Sequence, residues 1–207
     1  MSGHGNLEQV LALPSLKVAP RLLGWTLCRE VKGGLVKLKI VETEAYSQDD
    51  PASHSFRGVT TRTAPMFEAG GRLYIYFTYG MHYAVNIVTG SAGRGEAVLI
   101  RAAQPLEGIE IMRKNRGVTD IHNLANGPGK LAQAIGIKDT ELSGKTLGKS
   151  SIYLEPPEQT IKASSIIAGP RIGISKAALV PWRFYIKDNR FVSKHLARQR
   201  LYNKTNG

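Results

Sequence analysis

Between Trp25 and Val41, two apolar-rich stretches flank Gly33-Gly34, a pattern that predicts a β-hairpin. Its second arm sets Val36, Leu38 and Ile40 against Lys37 and Lys39, so one face reads as buried and the other as wet and basic. Three further strands are predicted at Leu73–Thr78, Tyr83–Val88 and Ala97–Ala102, rich in aromatic and branched residues. Tyr79-Gly80-Met81 and a Gly90–Gly95 loop separate them. Pro105 predicts the start of a helix through Met112, and Pro128 a second reaching about Ile135. Ile152–Leu154, Arg171–Ile174 and Arg183–Ile186 read as short strands. Residues 1–20 run from a polar start into a short apolar stretch, and Pro20 to Gly24 reads as a helical turn closed by glycine. The polar stretch Ser47–Gly70 is long enough for a functional loop.

Strand clusters with few helices between them predict an α+β fold: a single compact mixed domain with a curved, largely antiparallel sheet and peripheral helices. No strict β-α-β alternation, repeat, low-complexity tract or linker is visible, which disfavours a doubly wound nucleotide-binding fold. The domain is expected to fill residues 1–207, with an N-terminal extension over about 1–17 and a basic tail over about 194–207. A chain of 207 residues can bury a core without a metal or disulfide staple. The single cysteine, Cys28, reads as a small apolar strand residue rather than a reactive thiol. No apolar run approaches the ~20 residues that span a bilayer. The first residues show neither a charged nor an apolar signal region, and no added regulatory region. An intracellular protein is expected, in a bacterial cytoplasm or nucleoid or in a eukaryotic nucleus.

Charge narrows the partners. The formal net charge is +12, and from Arg171 onward nine basic residues face one acid, Asp188. Such an excess favours polyanions, above all nucleic acid, although solubility alone also explains a basic surface.

Several stretches can carry chemistry. No phosphate-binding loop ending in Gly-Lys-Ser/Thr and no Cys-x-x-Cys metal pattern is present. Gly127-Pro128-Gly129-Lys130 fits either a phosphate contact at a helix start or a plain turn and cap. Val41 to Tyr46 ends a basic strand and enters the polar loop; Glu42, Glu44 and Tyr46 share one face if the strand is regular. One of these acids facing a pocket can act as a general base, whereas both at a solvated strand end are merely surface salt-bridge partners. Leu73 to Tyr83 holds four of the eight tyrosines, rings suited to stacking on nucleobases. An aromatic sheet core competes with that reading and explains Phe77 better than the tyrosines. His54 lies in the polar loop, while Asn86 and Arg101 interrupt apolar strands and need partners, each other or Glu42 and Glu44 among them.

Taken together, these stretches resemble the alkyladenine (3-methyladenine) DNA glycosylase family from about Pro20 to Val192. The most specific segments are Glu42-Thr43-Glu44-Ala45-Tyr46, Leu73-Tyr74-Ile75-Tyr76 with Tyr79-Gly80-Met81, Asn86-Ile87, Leu99-Ile100-Arg101-Ala102, Gly127 to Leu131, and Arg171-Ile172-Gly173. Ala84 and Ala132 depart mildly, standing where relatives often carry cysteine or another small residue. The resemblance implies that Glu44 is the general base, with Arg101 and the backbone carbonyl of Ile172 holding the attacking water. It implies that Tyr46 and Tyr76 sandwich a flipped purine, His54 donates a hydrogen bond to it, and Asn86 crowds guanine's exocyclic amine. Tyr79 would wedge into the minor groove, and Gly127, Gly129 and Lys130 would contact the DNA backbone. The implied activity is monofunctional excision of 3-methyladenine, 7-methylguanine, hypoxanthine or ethenoadenine, leaving an abasic site. The partner is damaged double-stranded DNA, bound by a monomer with no metal or cofactor. A non-catalytic lesion binder and a basic RNA-binding protein remain the competing classes.

Overall fold

The computed structural model describes residues 6–78 and 80–193. Eight strands form one antiparallel sheet: β1 (Thr26–Val31), β2 (Gly34–Tyr46), β3 (Leu73–Thr78), β4 (His82–Val88), β5 (Ala97–Glu107), β6 (Ile152–Glu155), β7 (Ile166–Gly169) and β8 (Arg183–Ile186). The main order is β3-β4-β5-β2-β1-β6, with β8 paired to the far half of β2 and β7 paired to β8. Among the described residues four α-helices accompany it: α1 (Leu7–Leu11), α2 (Ser15–Val18), α3 (Ile109–Arg116) and α4 (Pro128–Ala134). The expected α+β architecture is therefore present as a single domain. Among the described residues no helix is long and apolar enough to cross a membrane.

The core lies on one face of the sheet. Val36, Leu38 and Ile40 of β2 and Val98 and Ile100 of β5 meet Val18, Leu22, Leu124 and Leu131 there. Helix α4 starts with Pro128 and buries Leu131, Ala132 and Ala134 against β4 and β5. Leu11 and Ser15, inside the stretch expected to form an extension, are also buried. Cys28 is buried too; burial and the nearby Glu155 push its thiol up to about 11, so it is protonated at neutral pH.

Two opposed bulges decide where the site forms. On β2, Ile40 pairs with Ala103 and Glu42 with Ala102, which leaves Val41 as an extra residue. On β5, Ala102 pairs with Glu42 and Ile100 with Thr43, which leaves Arg101 extra. Each inserted residue reverses the in–out alternation of its own strand. Ile40 therefore faces the core, as do Leu38 and Val36, whereas beyond the bulge Ala45 takes that face. Glu42, Glu44 and Tyr46 are released to the opposite side. An unbroken alternation would have driven both carboxylates among the apolar side chains.

Three expectations are corrected. Pro105 does not open a helix: β5 continues to Glu107, and Pro105 faces Leu38 beside another irregularity in the ladder, where its missing N–H is tolerated. Helix α3 begins only at Ile109, after Gly108, whose φ of 73° and contact with Leu35 exclude a side chain. Arg171–Ile174 is a loop; the strand is the preceding Ile166–Gly169. Pro170 separates them, and the Ile172 N–H is spent on a side chain instead of a ladder. Phe77 is no core residue: it is 48% exposed and lies against Tyr83.

Candidate active site

A cavity of about 450 Å³ opens on the face of the sheet to which the bulges turn the acids. Its walls come from the end of β2, the 3-10 turn His54–Arg57, strands β3 to β5, Pro128 at the start of α4, and the loop from Ile172 to Lys176. The long polar loop thus supplies one wall, as its length suggested.

Glu44 lies on this wall and is fully buried. Its Oε1 accepts the Ile172 N–H at 2.8 Å and Arg101 Nη1 at 3.2 Å, and its Oε2 accepts the Tyr46 hydroxyl at 2.8 Å. The Tyr46 phenol is pushed up by burial and then by the neighbouring carboxylate, so it remains a donor. A buried carboxylate with three directed donors has one orientation. The surface salt-bridge reading of this strand end is excluded by that burial.

Glu42 has a different environment. It is equally buried, but its oxygens are taken by Arg183 Nη1 at 2.9 Å and by the N–H and hydroxyl of Ser193 at 2.8 and 2.9 Å. Arg101 bridges the two acids, with Nε 3.2 Å from Glu42. Only Glu44 of the pair lines the cavity. Among the described residues neither acid is matched by lysine; arginines match both.

Tyr46, His54, Tyr76 and Asn86 all line the same cavity. The parity of β3 places Tyr74 and Tyr76 on this side, with ring centroids 5.3 Å apart, while Ile75 enters the core. His54 stands edge-on to Tyr76 at 4.5 Å, and its Nδ1 lies 2.9 Å from the Tyr74 hydroxyl. Partial burial, and then the charge of Arg62, hold the His54 imidazole below its ordinary range and thus neutral at pH 7. Asn86 is fixed by its Nδ2, which donates to the Tyr74 carbonyl at 3.0 Å.

Of Gly127, Pro128, Gly129 and Lys130, the cavity lining includes Pro128 and not the other three. A Cβ on Gly129 would come within 2.8 Å of His82 Cγ, so this glycine lets α4 approach the β3–β4 hairpin. Lys130 Nζ donates to Asn126 at 2.8 Å. Ile172 is at the site, and its N–H holds Glu44 directly. Tyr79 and the basic tail lie outside the described residues.

Sequence reasoning missed the support behind Tyr46. Arg171 is buried and pairs with Asp50 through both of its terminal nitrogens, while Nη1 also donates to the Ala45 carbonyl at 2.9 Å. Its guanidinium lies 4.6 Å from the Tyr46 ring centroid and 5.1 Å from that of Trp182. Arg171 stands beside Ile172 in a motif already singled out, whereas nothing in the sequence distinguishes Asp50 from other loop acids.

Comparison with known proteins agrees with this geometry. The family model described as "Methylpurine-DNA glycosylase (MPG)" matches residues 9–190. A protein of Francisella tularensis subsp. tularensis named "Putative 3-methyladenine DNA glycosylase" is 47% identical over 190 residues, covering 91% of this chain and 98% of its own. A protein of the same name from Carboxydothermus hydrogenoformans is 46% identical over 187 residues, covering 90% and 97%. Another from Rhodopseudomonas palustris is 46% identical over 185 residues, covering 87% and 86%. The match spans every strand and every residue of the cavity wall, and the chain belongs to the methylpurine-DNA glycosylase family.

Proposed function

We propose that this protein is a monofunctional DNA-3-methyladenine glycosylase of base excision repair, acting as a monomer on double-stranded DNA. It hydrolyses the N-glycosidic bond of a flipped-out alkylated or deaminated purine: 3-methyladenine, 7-methylguanine, hypoxanthine or ethenoadenine. The observation that carries this reading is the buried Glu44 carboxylate, held by three donors on the wall of an aromatic cavity.

Water attacks the sugar C1′ as the bond to the purine nitrogen breaks. The bonding electrons leave with the base, and the water gives its proton to Glu44. The transition state resembles an oxocarbenium ion, so the carboxylate serves twice, by orienting water and by stabilising positive charge at the sugar. Arg101 and the Ile172 N–H keep the carboxylate aimed, and the Ile172 carbonyl helps to hold the water. Tyr46 and Tyr76 stack on the extrahelical base, His54 donates a hydrogen bond to it, and Asn86 obstructs guanine's amine. Tyr79 fills the gap left in the duplex, while Gly127, Gly129 and Lys130 contact the backbone. The basic surface supplies affinity independent of sequence.

Duplexes carrying each lesion are incubated with wild-type protein and with Glu44→Gln, and the released bases are separated by chromatography. Wild type is expected to release free base and leave an unbroken abasic strand, and the variant to release almost none. Lesion binding without release by wild type would favour a non-catalytic reader. A covalent adduct trapped by borohydride would replace the water mechanism with a lysine nucleophile.

A further inference from the structure

Both tyrosines of the slot carry an arginine. The Arg171 guanidinium lies 4.6 Å from the Tyr46 ring centroid, and that of Arg62 lies 5.3 Å from the Tyr76 centroid. Both rings line the cavity, and neither arginine does. Each cation therefore lies against a ring of the slot without itself lining the cavity, and Arg62 also hydrogen-bonds the side chain of Tyr74. The two arginines differ in one respect. Arg171 is fully buried and neutralised by Asp50. Arg62 is exposed and forms no salt bridge among the described residues, so its charge is uncompensated.

A guanidinium on one face of a phenol is attracted by the negative π-face and draws on the same quadrupole that would attract a cation on the other. A purine with a formal positive charge, such as a 7-alkylguanine still attached to its sugar, loses stacking energy on such a ring and also feels the like charge through it. A neutral purine, such as hypoxanthine, keeps its dispersion and stacking contacts with little penalty. Arg57 and Lys176 on the cavity wall add to the same bias.

We propose that Arg62 is a specificity-determining residue that biases the slot toward uncharged purines over cationic ones, an inference that rests on the glycosylase function proposed above. It acts through Tyr76, from outside the cavity lining. Its charge adds to burial, the larger cause, in depressing the His54 imidazole, which keeps a second cation out of the slot at neutral pH. The bias opposes the intrinsic chemistry, in which cationic bases leave readily and neutral ones slowly. It brings the two classes closer in overall excision rate.

The test is internal competition. Duplexes containing 7-methylguanine or hypoxanthine are mixed in one reaction at pH 8, where His54 stays neutral in every variant, and the ratio of kcat/KM is read from the released bases. Arg62→Gln is expected to raise the 7-methylguanine to hypoxanthine ratio about threefold, the size of an exposed cation–π contribution. Arg62→Lys keeps the charge and is expected to keep the wild-type ratio. A general loss of DNA affinity lowers both rates and cancels. An unchanged ratio in Arg62→Gln, or an equal rise in Arg62→Lys, would overturn the role of Arg62 while leaving the glycosylase reading intact. Failure of the wild type to release either base would overturn both.

Discussion

Strand β2 contains two regions that follow different rules. From Gly34 to Lys39 it pairs with β1, and buried Val36 and Leu38 alternate with more exposed neighbours. From Ile40 to Ala45 every residue is buried, because β8 and the 170–176 loop cover the side that was wet in the first half. In the first half polar residues need no partners, since water satisfies them. In the second they survive only with dedicated ones: Thr43 on the Ala19 carbonyl, Glu42 on Arg183 and Ser193, and Glu44 on Arg101, Tyr46 and Ile172. Single-residue bulges at Val41 and Arg101 mark the change. A regular sheet extends a core; an interrupted one turns charged groups away from it into a cavity.

The strongest way to break this contrast is to delete Val41. The acids would then point into the apolar face, and no cooperatively folded protein is expected by circular dichroism and thermal melting. Glu44→Gln sharpens it at the level of chemistry. A drop of about 10²- to 10⁴-fold in single-turnover base release is expected, the usual range for a general base. Glu42→Gln removes the anion held by Arg183 and one of the two acids that Arg101 bridges, and destabilisation of about 3–5 kcal/mol is expected from denaturant titration. Release per folded molecule should fall less than tenfold; a loss equal to that of Glu44→Gln would erase the distinction between the acids. Ile40→Ala tests the core side, with about 2–5 kcal/mol of stability lost and little change in release. The smallest effect concerns pH. Because the folded state holds the His54 pKa below its ordinary value of 6.5, its contribution is fully present above that pH. Stability is lost as pH falls through 6.5 toward the lowered native value. A shallow decline in melting temperature over that window is expected, and His54→Gln should flatten it.

Much of the frame was legible. Alternation around Gly33-Gly34 and the aromatic and branched runs located the central strands, because burial on one face writes a period of two into the sequence. Pro105 misled because proline at a helix start and proline beside a bulge look alike until the strand partner is known. Arg171–Ile174 misled because its apolar residues suit a strand, while its backbone is used by a side chain distant in sequence.

The sequence by itself determined the residue types of the site, the basic character of the chain, and the strand pattern that holds Glu44, Tyr46, Tyr76, Asn86 and Arg101. Only the tertiary structure decided which of two similar acids meets the cavity, that Asp50 and Arg171 support Tyr46 from behind, and that Arg62 lies on Tyr76. Composition and periodicity record which residues avoid water. Ion pairs and ring contacts between distant segments depend on register, and a single inserted residue reverses that register without changing the local pattern.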